Sequence, residues 1–267
     1  MKMWKYKIQS AKCHLEGTLG VFLMLVPFLF ASCNGDNVPD CFQNAGDLAR
    51  HTVDVPEFST ITVFENLNMV LKQGEEQKVE IETGEYLIND VSAVVEDNRL
   101  VLRNENGCNY VRDYGLTTVY VTSPNITEIR SSTGLLISSE GVLSYPSLNL
   151  VAESYSNTES ETTDGSFDLN LNSTTVKIVV NGVAYLKLRG NTENFNVIVA
   201  ASDSRIEAED LIADRIGISH RGSNDVYVNP QLRIDGVIRG TGDVISVNRP
   251  PEVEVEELYN GKLIFQD

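Results

Sequence analysis

The stretch Asn181-Gly-Val-Ala-Tyr-Leu-Lys-Leu188 is echoed by Ala201-Ser-Asp-Ser-Arg-Ile-Glu-Ala208, Arg221-Gly-Ser-Asn-Asp-Val-Tyr-Val228 and Gly240-Thr-Gly-Asp-Val-Ile-Ser246. Each opens on a small or polar triplet and runs into an alternating apolar segment. The triplets start 20, 20 and 19 residues apart and the alternating runs 20, 20 and 18 apart, so the core-facing phase is kept. Alternation with a period of two marks half-buried strands. Glycine and asparagine at the start of a unit suit tight corners that need positive φ. A unit of this length, with short strands such as Val226 to Val228 and Ile234 to Ile238, cannot bury its own apolar edge. Such units stack, and equivalent apolar side chains pile into a column. The expected fold is therefore all-β, a solenoid with coils of about 20 residues. Periodicity does not fix strand direction, so an antiparallel β-sandwich with regular hairpins is the alternative.

Working outward, Ser131-Ser-Thr133 and Ser154-Tyr-Ser156 look like earlier, less regular units, with residues 157–165 as an insertion. Residues 123–267 form the repeat region in this reading. Residues 56–122 carry the alternating runs Ile61-Thr-Val63, Leu67-Asn-Met-Val-Leu71, Val79-Glu-Ile81, Leu100-Val-Leu102 and Val119-Tyr-Val121. They form an N-terminal β part that begins or caps a larger sheet and continues into the repeats. The nearest thing to an amphipathic helix is Glu85 to Val95.

Residues 1–32 have a different composition. Lys2, Lys5, Lys7 and Lys12 lead into the apolar run Val21 to Phe30, which is too short and too interrupted by Pro27 to span a bilayer. The run closes on Leu29-Phe30-Ala31-Ser32-Cys33, a pattern similar to the lipobox of bacterial lipoproteins. Residues 1–32 are thus expected to be a lipoprotein signal peptide, with Cys33 lipidated and residues 33–55 a tether and N-terminal segment. Two or three acyl chains, at roughly 0.8 kcal/mol per buried methylene, would hold the protein on a bacterial outer membrane, facing the periplasm or the cell surface.

The formal charge is −17, and loss of the leader, with four lysines against Glu16, takes it to −20. An acidic surface of this kind repels phosphate backbones, which argues against nucleic acid as a partner. Of the four cysteines, Cys13 leaves with the leader and Cys33 carries lipid, so Cys41 and Cys108 remain. In an oxidising compartment that parity favours a disulfide, worth about 4 kcal/mol in the chain-entropy model. Two separate buried thiols are the competing reading. Neither cysteine has a metal-ligand spacing.

Particular motifs resemble a family of Bacteroidetes envelope proteins, the putative auto-transporter adhesins with a head GIN domain. They are Phe58-Ser-Thr-Ile-Thr-Val63, Val70-Leu-Lys-Gln-Gly74, Val119-Tyr-Val-Thr-Ser-Pro124 with Ser131-Ser-Thr-Gly134, and the recurring Gly222-Ser-Asn-Asp-Val226 and Gly240-Thr-Gly-Asp-Val244. The likeness runs from about residue 56 to residue 265. It implies a right-handed parallel β-helix-like domain on a lipoprotein or secreted protein. These are turn-and-strand motifs, silent on chemistry.

The search for chemistry yields no catalytic, cofactor or metal residues. His51 and His220 are far apart, and His220, beside Arg221 at a corner, reads as an exposed turn residue. Asp164-Gly-Ser-Phe-Asp168 and Asn224-Asp225 offer oxygens at turns but match no calcium loop. Asp203, Glu207, Glu209, Asp210 and Asp214, near Arg205, are the carboxylates that a polysaccharide lyase or hydrolase on a β-helix would use. They do not recur from unit to unit, so a solvated face is the simpler reading. Tyr185 and Tyr227 point outward if Leu186, Leu188, Val226 and Val228 point inward, and with Glu207 they make the candidate binding face, since outward tyrosines can stack on sugar rings; cross-strand packing is the simpler reading of the two rings. The functional expectation is a non-enzymatic binding or adhesion module for a glycan or a protein. A carbohydrate-active enzyme and a structural envelope protein are the alternatives.

Overall fold

Burial with a period of two governs the long strands of the repeat region. In Gly165–Val180 the residues Phe167, Leu169, Leu171 and Ser173 are buried; the alternation slips across Thr174 and Thr175 and resumes at Val176, Ile178 and Val180. Two consecutive unburied residues turn the strand through a corner, so one long strand serves two faces of the core. The sequence suggests two separate short strands per unit. The structure joins them because corner residues keep pairing with the next unit, as Ser173 does with Thr192 and Thr175 with Asn194.

In the computed structural model, residues 40–266 are described apart from Glu65, Asn109, Val111, Arg112, Tyr114 and residues 154–161. The signal peptide, Cys33, the unit at Ser154-Tyr-Ser156 and residues 157–161 of the insertion lie outside the described residues. The chain is all-β. In order the strands are β1 (Leu48–Val53), β2 (Thr60–Val63), β3 (Asn68–Gln73), β4 (Lys78–Gly84), β5 (Val91–Glu96), β6 (Arg99–Asn104) and β7 (Thr118–Ser123). They continue as β8 (Glu128–Ser131), β9 (Leu136–Leu143), β10 (Ser147–Ala152), β11 (Gly165–Val180), β12 (Ala184–Val199) and β13 (Arg205–His220). The last are β14 (Val226–Ile238), β15 (Val244–Ser246), β16 (Glu252–Glu257) and β17 (Leu263–Phe265). Glu85 to Val95 holds no α-helix; it contains a single 3-10 turn, Ile88–Asp90, followed by β5. Among the described residues no helix is long and apolar enough to cross a membrane.

All strands join one 17-stranded sheet that wraps the core as a nearly closed, barrel-like shell. Two ladders run through it. One links β9 to the first halves of β11, β12, β13 and β14 and then to β15 and β17. The other links β8 and β10 to the second halves of the same long strands and then to β16. Every pairing from β8 onward is parallel, so the antiparallel alternative fails in the repeat region: a corner, not a hairpin, separates successive strands. Register partners Phe167, Leu186, Ile206, Val226 and Val244 are fully buried, as are Val176, Phe195, Ile216 and Ile234 on the opposite ladder. Each such side chain contributes about 1.5–3 kcal/mol of burial.

Residues 56–122 join this architecture out of chain order. β2 and β3 pair in parallel with β6 and β7 on one side and with β8 and β9 on the other. The N-terminal end is then covered by antiparallel strands, with β4 between β1 and β7 and β5 on β6. Cys41 and Cys108 form a disulfide, 67 residues apart in sequence, that ties this end together.

The recurring Asp-Val pair has a structural role. Asp225 Oδ1 accepts from the amide of Asp243 at 2.9 Å, and Asp243 Oδ1 accepts from the amide of Lys262 at 2.8 Å. Each aspartate caps the backbone one unit on.

His220 is not the exposed turn residue that its neighbour Arg221 suggests. It is 1% exposed and stands in the inward column between Val199 and Ile238, continuing the phase of Ile216 and Ile218. Its Nδ1 accepts from the Gly222 amide at 3.4 Å, and Nε2 is buried without a hydrogen-bond partner among the described residues. Burial pushes its pKa below the ordinary value, against nearby carbonyls of Asn224 and Gly242 that favour the proton. A histidine with a lowered folded pKa takes up its proton more readily when unfolded, so stability is lost as the pH falls below about 6.5. Urea melts between pH 8 and pH 5 are expected to show that loss, and His220→Leu to flatten it; an unchanged slope in the variant would contradict this.

Candidate binding groove

The tyrosines and carboxylate singled out from the sequence do meet on the outer side of the first ladder. Tyr185 Oη donates to Glu207 Oε2 at 2.5 Å and Arg205 Nε donates to Glu207 Oε1 at 2.8 Å. Glu207 is the register partner of Tyr227, whose ring lies 5.5 Å from the Arg205 guanidinium. The Tyr185 hydroxyl, with Arg205 behind it, holds Glu207 below the ordinary carboxylate range, and the same hydrogen bond pushes the Tyr185 hydroxyl up. The polar groups here satisfy one another. The set is a clasp between successive units rather than an array of free donors.

The other carboxylates between 203 and 214 scatter. Asp203 accepts from the Ser223 hydroxyl on the next unit, and Asp214 lies with Glu193 beside a separate shallow pocket. Asp168 pairs with Arg189. One convergence was not foreseen: Arg233 reaches Asp235 at 2.8 Å, Glu252 at 3.1 Å and Glu254 at 2.5 Å on the outer side of the second ladder. The two glutamates are about two-thirds exposed on that face. Glu257, like Glu207, is held below the ordinary carboxylate range, by the Leu263 amide and then Lys262. No group of three or more His, Cys, Asp or Glu side chains is placed to hold a metal ion among the described residues.

A concave site forms where the second ladder turns back into the first. The corner residues of five successive units stack there, leaving a groove of about 550 Å³ lined by Val183, Asp203, Arg221, Arg239, Thr241 and Tyr259, with small residues as its floor. The floor is tight: a Cβ on Gly240 would sit 2.1 Å from the Gly222 carbonyl oxygen. Val183 and Tyr259 are more than half exposed. A second hollow of about 540 Å³, sharing Val183 and Asp203, continues past Tyr185 and Arg205.

Arg221 and Arg239 follow His220 and Ile238, which are register partners, so the two arginines occupy the same corner position on adjacent units. Their amides bond to the carbonyls of Val199 and His220 in the same ladder. Both side chains are exposed, and neither forms an ion pair among the described residues. Sequence reasoning passed over them. The signal was available in the 18-residue interval between them, each directly after the last inward residue of its unit.

Similarity to known proteins now bears on this geometry. A family model described as putative auto-transporter adhesin, head GIN domain, matches residues 57–250. The chain belongs to this family. The matched segment of the head GIN domain contains both arginines of the groove, whereas Tyr259 lies beyond it. Among solved structures, the head GIN chain is similar to a putative adhesin from Bacteroides fragilis, with a TM-score of 0.70 and 21% identity, over 82% of this chain and 97% of that one. It is also similar to a putative adhesin from Parabacteroides distasonis, with a TM-score of 0.58 and 14% identity over 83% and 98% of the two chains. A putative lipid-binding protein from the same organism gives 0.55 and 14% over 83% and 98%. At these identities the likeness speaks for a shared fold. No curated protein of known function matches this head GIN chain in sequence.

Proposed function

We propose that this head GIN domain is a non-enzymatic binding or adhesion module of the bacterial cell envelope, with a glycan as its ligand. Its scaffold is a right-handed parallel β-helix-like solenoid of about 20-residue coils, in which residues 56–122 and 123–267 are one continuous structure. The parallel registers, offset by one unit each time, support that reading. Residues 1–32 are its signal peptide, and Cys33 anchors it by lipid to the outer membrane, with residues 33–55 as the tether and N-terminal segment, of which Cys41 and β1 belong to the folded end. Family membership supports an envelope location.

The observation that carries the functional reading is the contrast between two surfaces. Where carboxylates gather, they are tied to arginines and tyrosines of neighbouring units, while the concave corner keeps two guanidinium groups and a tyrosine ring open. Free donors beside an exposed ring suit ligand capture. The reading as a polysaccharide hydrolase needs a general acid with a raised pKa near a second carboxylate. Glu207 and Glu257 are shifted the opposite way.

One variant tests anchor and activity together. Cys33→Ser is expected to release the protein from the membrane fraction, and the released protein to bind members of a glycan array while returning them at their original length. A protein that stays with the membrane contradicts the anchor. An empty array, or shortened glycans, contradicts the binding role.

A further inference from the structure

We propose that the corner groove is a subsite for an acidic oligosaccharide, in which Arg221 and Arg239 bracket the anionic groups of the sugar and Tyr259 faces a ring. This deepens the binding role proposed above and rests on it.

Charge makes the arginines informative. The chain has 38 acidic residues against 21 lysines and arginines, and Arg50, Arg99, Arg130, Arg189, Arg205 and Arg233 each pair with a carboxylate. In such a field an unpaired exposed guanidinium has abundant carboxylates to choose from. Arg103, Arg215, Arg221, Arg239 and Arg249 form no ion pair among the described residues, and of these Arg221 and Arg239 stand at equivalent corner positions within one concavity. Adjacent strands lie about 4.8 Å apart, so the two side chains start one strand spacing from each other. The planar fork of a guanidinium matches a carboxylate or sulfate bidentately.

The rest of the groove selects for sugar over other anions. Tyr259 is 58% exposed at one end and Tyr185 41% exposed in the adjoining hollow, rings that present an apolar face with a polar tip. The floor is backbone and small side chains, so a flat pyranose can lie close to it. Thr241 and Asp203 border the groove and supply hydroxyl and carboxylate partners for sugar hydroxyls. The acidic surface as a whole repels a long polyanion, whereas a short acidic oligosaccharide engages two guanidinium groups without facing the whole field.

The full chain, in mild detergent, can be titrated calorimetrically with an oligogalacturonate, a sulfated galactan oligosaccharide and a neutral galactan oligosaccharide of similar length. An acidic oligosaccharide is expected to bind about ten-fold more tightly than the neutral one, and Arg221→Gln and Arg239→Gln each to lose about ten-fold. Arg221→Lys and Arg239→Lys keep the charge without the fork and should fall between. Arg215→Gln, the same charge change at an exposed site outside the groove, should leave binding unchanged, with thermal melts showing all variants folded. Preference for the carboxylated or the sulfated chain tells which anion the groove takes. Acidic binding that is indifferent to both arginines, or neutral binding as tight as acidic, overturns the subsite while leaving the binding role standing. No binding to any of the three, while the glycan array gives hits, does the same; an empty array as well removes the role itself.

Discussion

Gly236→Ala is expected to destabilise the domain by about 4 kcal/mol or more, enough to unfold much of the protein at 37 °C. Gly236 has φ +131°, a region that side chains rarely adopt, and a Cβ there would lie 1.9 Å from the Ile218 carbonyl oxygen and 2.7 Å from its carbon. Ile218 is the register partner of Gly236 on the preceding unit. The obstacle is thus backbone already committed to the ladder, and it cannot rotate away as a side chain would. Relief requires β14 to part from β13, which breaks inter-strand hydrogen bonds and opens the column around Ile216 and Ile234. Strained backbone alone costs about 1–3 kcal/mol, and the lost packing adds to it. Gly134→Ala is the matched control, since nothing lies within 4 Å of its would-be Cβ. Urea unfolding should separate the two variants widely; equal midpoints would mean that β13 and β14 do not approach as closely as described.

Arg130→Met is expected to cost about 3–5 kcal/mol, because it takes a guanidinium away from a buried carboxylate. Arg130 and Glu153 side chains are 12% and 6% exposed, and the guanidinium donates to the Glu153 carboxylate at 2.9 Å and to its backbone carbonyl at 3.0 Å. Glu128 lies 3.7 Å from the same guanidinium on the more exposed side. Breaking a buried pair from one side leaves the desolvation penalty of the remaining charge in place, whereas replacing both partners removes it. The double variant Arg130→Met with Glu153→Leu should therefore recover most of the loss. Additive destabilisation in the double variant would contradict the pairing.

How far the sequence reveals this architecture depends on the kind of contact. The inward columns were legible because period-two burial is written in the chain at Leu186, Ile206, Val226 and Val244. Strand direction was not, since alternation looks the same in a parallel and an antiparallel ladder; only the register of Phe167 with Leu186 and Ile206 distinguishes them. The position of β2 and β3 between β6–β7 and β8–β9 was beyond reach, because non-sequential pairing leaves no periodic trace. At His220 the phase shared with Ile216 and Ile218 points inward, whereas its polarity and the adjoining Arg221 suggest a surface turn, and the apolar phase prevails. Tyr185, Glu207 and Tyr227 were found as neighbours, yet whether polar groups are free or mutually satisfied depends on side-chain geometry, as the Tyr185 to Glu207 bond illustrates. The groove arginines depend on the stacking of corners, so they become visible only when equivalent positions of successive units are superimposed.

The groove, the clasp and the buried columns all rest on in-register parallel stacking of successive units. Lys177, Asn196, Gly217, Asp235 and Glu254 occupy one outward row, each the register partner of the next. Spin labels at Lys177→Cys and Glu254→Cys, read by pulsed dipolar spectroscopy, measure the row directly. Four strand spacings place the two backbones about 19 Å apart, and a single narrow distribution near that value is the expected result. A broad distribution, or a maximum beyond about 30 Å, would contradict the stack and with it the groove that the stack creates.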